Sequence, residues 1–205
     1  MNKDRPMIYL VRHGQTEFNA ARRYQGSLDS PLTALGVAQA RAIGLKLRDL
    51  IDPVEAMLFT SPQGRAQETA RLIASEAGIA TAPVVDEDLA EISLGSWDGL
   101  TLAEIDTGWP EAWQKLDRHK WYFDAPGGER YDDFRARLSG ALLRVTAHPA
   151  ASRIIVSHGV ASRVLRGLHA GLPCEVALAL PVPQGVIWRL DQDTVIAIDC
   201  NDSII

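Results

Sequence analysis

The chain is poor in thiols: among 205 residues only Cys174 and Cys200 are cysteines. Two cysteines at that separation form neither a disulfide framework nor a metal-ligand spacing, so both read as small buried side chains. No apolar run reaches membrane-spanning length. The opening segment, Met1-Asn2-Lys3-Asp4-Arg5-Pro6, has no apolar signal core. These absences point to a cytoplasmic soluble protein with no membrane partner. Positive charge is not in excess either. Against 21 Lys and Arg stand 26 Asp and Glu, a formal charge of −5, which argues against a nucleic-acid partner because such partners call for a basic surface. The five histidines show no zinc-ligand spacing, so no metal is expected. There is no internal repeat, low-complexity block or linker.

What is present is enough for one sizeable core, since hydrophobic residues make up 46% of the chain. Short apolar runs predict strands over Met7–Val11, Ala56–Thr60, Ala82–Val85, Ile154–Ser157, Val186–Leu190 and Val195–Asp199. Helical spacing fills most of the gaps. Thr33 is a plausible cap for a helix over 34–50, with Leu35, Ala38, Ala42, Leu45 and Leu47 as its apolar stripe. Further helices are predicted over 64–77, 131–146 and 159–172. Alternating strands and helices imply an α/β fold with a mostly parallel sheet covered on both faces. The polar Asp191-Gln192-Asp193 between the last two strands suggests an antiparallel end.

Residues 97–126 break the alternation. They hold Trp97, Trp109, Trp113 and Trp121, followed by Tyr122 and Phe123. Such a segment reads as a small helical insertion with its own apolar anchor. It also reads as a roof that selects a ligand, as long connections often do.

The chemistry concentrates in four segments. Arg12-His13-Gly14 closes the first strand and runs on through Gln15-Thr16-Glu17-Phe18-Asn19 to Tyr24-Gln25-Gly26. Strand carboxyl ends are where open α/β sheets place ligands. An imidazole that can attack phosphorus, an arginine fork for its oxygens and a glycine for close approach suit a phosphoryl group. Second, Ser61-Pro62-Gln63-Gly64-Arg65 joins a strand to a helix, where free N–H groups favour anions. Third comes Ala90-Glu91-Ile92-Ser93-Leu94-Gly95-Ser96-Trp97-Asp98-Gly99, with Glu87 and Asp88 as acidic rivals of Glu91. Fourth, Ile154-Ile155-Val156-Ser157-His158-Gly159 is a second strand ending in His-Gly. His119, His148 and His169 are expected to have surface, cap or core roles.

Together these segments resemble the histidine phosphatase superfamily, which contains cofactor-dependent phosphoglycerate mutases and many phosphatases. The resemblance covers nearly the whole chain. It implies one histidine phosphatase domain over 1–205, with a three-layer α/β/α, phosphoglycerate mutase-like fold and about six strands. It implies that His13 is the nucleophile and forms a phosphohistidine. Arg12, Arg65 and His158 then neutralise the phosphoryl oxygens, and a protonated His158 joins the two arginines in lowering the pKa of His13. Asn19, Gln25, Gly26 and Gly159 would complete the phosphate and substrate contacts, and Glu91 would protonate the leaving oxygen. The reaction needs no cofactor.

Within that family, the insertion offers only Lys115, Arg118 and Lys120 as cations, and the chain ends soon after its last strand. Both features resemble the phosphatase branch more than the mutases. Ala125-Pro126-Gly127-Gly128-Glu129-Arg130 resembles that branch's Pro-Gly-Gly-Glu-Ser, with Arg130 in place of the serine. The expected activity is hydrolysis of a small phosphorylated metabolite. A phosphoglycerate mutase-like phosphotransferase and a non-enzymatic phosphate-binding or protein-interaction module remain the alternatives. The aromatic insertion could also support a homodimer.

Overall fold

A computed structural model describes residues 7–110, 119–192 and 194–203. The strands β1 (Met7–Arg12), β2 (Ala56–Thr60), β3 (Val84–Val85), β4 (Ser152–Ser157), β5 (Val186–Asp191) and β6 (Thr194–Asp199) form one sheet in the order β3-β2-β4-β1-β5-β6. The first four strands of that order are parallel. β5 is antiparallel to β1 and β6 to β5, which supplies the expected antiparallel end. The third strand is shorter than expected. Ala82 and Pro83 stay outside it, as befits an edge where proline has no N–H to give the ladder.

Alternation along β1 divides the core. Ile8 and Leu10 face one layer, Tyr9 and Val11 the other. On the Tyr9 face lie α2 (Ala34–Arg48) and α3 (Gly64–Ala77), following a short α1 (Glu17–Ala20). Thr33 caps α2 as expected, its side chain accepting the Gly36 N–H. Of the expected stripe of α2, Ala42 and Leu47 are buried, while Leu35 and Leu45 are exposed and Gly36, Ala40 and Ile43 take their place in the buried face. Small residues let this helix come close. A methyl on Gly44 would meet Ile73 and Glu76 of α3. On the Ile8 face lie α5 (Tyr131–Ala147) and α6 (Gly159–His169), which bury Phe134, Leu138, Ala141, Val145, Val164 and Leu165. The helix expected over 159–172 ends at His169. Gly171 adopts a positive φ of 62°, Pro173 follows, and a separate α7 (Cys174–Leu178) begins.

In the region of the expected insertion, α4 (Leu102–Gly108) is capped by a Thr101–Glu104 box. Trp97 is fully buried, with Trp109 and Trp121 at ring distances of 6.2 and 5.7 Å. This is the expected apolar anchor. Trp113, Lys115 and Arg118 lie outside the described residues, as does Asp193 of the final turn. Among the described residues no helix is long and apolar enough to cross a membrane.

The topology fixes where chemistry can occur. β1 and β4 are parallel neighbours with Arg12 opposite Ser157. The helices that follow them lie on opposite faces of the sheet. A crevice therefore opens at their carboxyl ends, the usual ligand position in such sheets.

Candidate functional site

His13 leaves the end of β1 with its backbone N–H on the Ser157 carbonyl, 2.9 Å away. Its ring is buried, and Nδ1 lies 2.8 Å from the Gly14 carbonyl oxygen. A carbonyl can only accept, so Nδ1 carries the hydrogen and Nε2 keeps its lone pair. Burial, then the charges of Arg12 and Arg65, hold the His13 pKa well below the usual imidazole value, against the opposing Gly14 bond. The ring is thus a neutral imidazole of defined tautomer, with Nε2 bare. Gly14 is glycine for packing reasons: a methyl there would run into the Gly36 carbonyl of α2.

Two guanidinium groups flank this imidazole. Arg12 donates from Nη1 to the Val182 carbonyl at 2.7 Å. Arg65 is buried at the start of α3 and donates to Leu28 O (2.7 Å), Asp29 Oδ1 (3.0 Å) and Gly26 O (3.0 Å). Burial lowers the pKa of both. In each, Nε is buried and has no hydrogen-bond partner among the described residues. Buried unpartnered donors are rare and costly, and two beside one nucleophile suit an anion.

His158, at the end of β4, lies with its ring centroid 5.1 Å from that of His13. Its Nε2 is 2.7 Å from Ser61 Oγ, and Nδ1 is buried with no partner among the described residues. Burial first, then Arg65, His13 and Arg12, push its pKa well below the usual value. It is therefore neutral in the unliganded site. The protonated His158 expected from the sequence is not what lowers the pKa of His13; burial and the two arginines do that.

Glu91 is separated from its rivals by position. Glu87 is exposed and Asp88 pairs with Arg144 at 2.7 Å. Glu91 is buried, and its Oε1 accepts N–H groups from Ile92 and Ala161, both at 3.1 Å. Among the described residues its Oε2 accepts only the Val160 N–H, at 3.0 Å. The carboxyl is thus held at the N-terminus of α6, with spare acceptor capacity on Oε2. Arg137 clamps the segment behind it, donating to the carbonyls of Asp88, Ala90 and Glu91 at 2.8, 2.8 and 3.1 Å. Glu129, from the Pro-Gly-Gly-Glu run, holds Arg137 in a bidentate pair at 2.7 and 2.8 Å.

Arg12, His13, Asn19, Gln25, Glu91 and Gly159 line a single cavity of about 700 Å³. Arg65 and His158 are buried beside it. Gly26 sits behind: its N–H goes to Asp98 Oδ1 at 2.6 Å and its carbonyl receives Arg65. The Gln25 side chain is engaged by Thr16 and Ser30. Tyr24, Trp121 and Tyr122 form an aromatic wall of the cavity, so the insertion does roof it. His119 lines the cavity too, a place that its charged stretch Asp117-Arg118-His119-Lys120 does not announce.

Sequence reasoning also missed Gln184. Its side chain donates to the His13 carbonyl (3.2 Å) and to Asn19 Oδ1 (2.9 Å). Asn19 Oδ1 also receives the Thr16 N–H, so its NH₂ is turned the other way. A lone glutamine before a strand carries no signal of such a role. Among the described residues, no group of three or more His, Cys, Asp or Glu is placed to hold a metal.

Comparison with known proteins gives concordant matches. The family profile described as histidine phosphatase superfamily (branch 1) matches residues 8–194. A probable phosphoglycerate mutase GpmB of Yersinia pestis (strain Pestoides F) is 33% identical over 186 residues, covering 90% of this chain and 84% of that protein. The crystal structure of the α-ribazole phosphatase from Shigella flexneri superposes with a TM-score of 0.80 at 26% identity, covering 94% of this chain and 95% of that one. A mycobacterial glucosyl-3-phosphoglycerate phosphatase, in complex with VO3, superposes with a TM-score of 0.77 at 30% identity, covering 94% and 96%.

Proposed function

Since the chain belongs to the histidine phosphatase superfamily, branch 1, we propose that it is a phosphomonoesterase that hydrolyses small phosphorylated metabolites through a phosphohistidine on His13. The observation that carries this reading is a neutral His13, with Nε2 bare, between two guanidinium groups that each bury an unpartnered Nε. In the first step the Nε2 lone pair attacks phosphorus. The bond to the leaving oxygen breaks, and a proton on Glu91 Oε2 passes to that oxygen. The Nδ1–H on the Gly14 carbonyl steadies the positive charge the ring acquires. Arg12 and Arg65 offset charge on the equatorial oxygens, the main demand of phosphoryl transfer. In the second step Glu91 takes a proton from water, whose oxygen attacks phosphorus. The P–N bond breaks, and its electron pair returns to Nε2.

Several features favour water as the acceptor. Lys120 of the insertion is engaged with Glu175 at 2.7 Å. Arg23 of the cavity wall is engaged with Glu104 at 2.8 Å, and Arg163 with Leu180 and Tyr122. The rest of the wall open to a substrate body is aromatic at Tyr24, Trp121 and Tyr122, with the exposed Arg22 beside them. No metal enters this chemistry, and the unpaired Cys174 and Cys200 fit a cytoplasmic setting. The mutase reading has its own support in the relative named as a probable phosphoglycerate mutase.

One assay separates these readings. Phosphate release is measured from p-nitrophenyl phosphate, sugar phosphates, α-ribazole phosphate and 3-phosphoglycerate, with and without EDTA, beside His13→Ala. EDTA-resistant release that depends on His13 is the expected result. Conversion of 3-phosphoglycerate to its 2-isomer without net release, with 2,3-bisphosphoglycerate present, would make the protein a mutase. Silence in both assays would leave a phosphate-binding module.

A further inference from the structure

We propose that Gln63 is a positioning residue that fixes which nitrogen of His158 carries the proton. This rests on the proposed phosphoryl chemistry for its consequence, though not for its test. The Gln63 amide is held by three partners at once. Its Oε1 receives the Glu91 backbone N–H at 3.1 Å, and its Nε2 donates to the Gly26 carbonyl at 3.0 Å. A backbone N–H only donates and a backbone carbonyl only accepts, so the amide can be oriented in just one way. Ser61 Oγ, 2.8 Å from the same Oε1, must then spend its single hydrogen on Gln63. With that hydrogen spent, the hydroxyl can only accept from His158 Nε2 at 2.7 Å.

His158 is therefore the Nε2–H tautomer, and its bare nitrogen is the buried, unpartnered Nδ1. A proton drawn to His158 when an anion joins Arg12 and Arg65 has only Nδ1 to occupy. The same Gln63 oxygen anchors the backbone of Glu91, so one amide couples the tautomer of His158 to the seat of the acid.

The test uses the full chain, uniformly ¹⁵N-labelled and free of ligand, in two-bond ¹H–¹⁵N spectra near neutral pH. The His158 signals are assigned by their loss in His158→Gln. The expected result is Nε2–H at His158 and Nδ1–H at His13. In Gln63→Leu the Ser61 hydroxyl is released to donate to Nε2, and His158 is expected to move toward Nδ1–H. Gln63→Glu keeps acceptors for both Ser61 and the Glu91 N–H, so it should retain Nε2–H. Its added negative charge should also raise the pKa of His158. In turnover, Gln63→Leu should lower kcat by roughly 10-fold, the loss usual when a partner that orients a histidine is removed, and shift the acid limb of the pH profile. A wild-type His158 carrying its hydrogen on Nδ1 would overturn the assignment, whether or not the variants fold. So would a Gln63→Leu protein that is folded and keeps the wild-type tautomer. An inactive protein with the expected spectra would count against the phosphatase reading and leave Gln63's role standing.

Discussion

The ends of β1 and β4 look alike in sequence, each a buried strand closing in His-Gly, yet the structure uses them differently. At β1, His13 keeps its hydrogen on Nδ1 against its neighbour's carbonyl, a contact within one residue. At β4, His158 keeps its hydrogen on Nε2 against Ser61, a partner 97 residues away. The glycines differ as well. Gly14 is wedged against the backbone of α2. A methyl on Gly159 would only touch Arg12 Cζ at 3.6 Å and Glu91 Oε2 at 3.7 Å, ordinary contact distances. The β1 end thus presents the proposed nucleophile, its tautomer set locally. The β4 end presents a histidine set from afar and a helix N-terminus that seats the acid. An identical dipeptide takes its role from what packs against it.

Removing the nucleophile should have the largest effect. His13→Ala is expected to lower kcat by on the order of 10⁵-fold or more with the fold intact, as judged by circular dichroism and phosphate release. Substantial remaining turnover would mean that the β1 histidine is not the one attacked. The acid on the β4 side comes next. Glu91→Gln should slow alkyl phosphates by about 10²–10⁴-fold, while the burst from p-nitrophenyl phosphate, with its good leaving group, is largely spared. Equal loss on both would remove Glu91 from the role of acid.

The two glycines sharpen the contrast through stability. Gly14→Ala must displace the backbone of α2 and should cost about 3 kcal/mol, read as a lowered urea midpoint. Gly159→Ala should leave that midpoint within ~0.5 kcal/mol of wild type and reduce kcat/KM only several-fold, by crowding Arg12 against Glu91. If both variants unfold alike, the difference between the two ends is not one of packing.

A smaller effect than that of Gly14→Ala is expected in the pH dependence of stability. Burial holds both imidazoles below their ordinary pKa. In acid the unfolded chain therefore binds more protons than the folded one, and stability rises with pH. The contribution is complete above the unfolded value of about 6.5 and is lost as pH falls below it, by at most ~1.4 kcal/mol per pH unit for each histidine. Urea midpoints at pH 7.5 and 5.5 should show this loss, reduced in His158→Gln. A stability that is flat between those values would contradict the neutral, buried state of both rings.

Much of this was legible beforehand. The apolar runs announced all six strands, and Thr33 announced the start of α2. Gly171 and Pro173 could have announced that α6 would stop early. The stripe of α2 was misread because apolar size pointed to Leu35 and Leu45, while close approach to α3 selected glycine and alanine. At the site, the residues that meet phosphate lie at strand and helix ends, where the chain's punctuation exposes them. Some residues that orient them share that punctuation, Gln63 at the cap of α3 and Glu129 after Gly128, but nothing local tells what their side chains hold. Gln63, Gln184 and the Glu129–Arg137 pair act through contacts between segments remote in sequence, and no local pattern marks a glutamine as the holder of a histidine's partner. The tautomers belong to this second class, and only the assembled network reveals them.

The most direct test of the central claim is to locate the trapped phosphoryl group. Enzyme mixed with substrate is quenched in base, which preserves phosphohistidine, then digested for peptide mapping and examined by ³¹P NMR. One phosphoryl group is expected, on Nε2 of His13 and absent from His13→Ala. A phosphoryl group on His158, or on Nδ1 of His13, would contradict it.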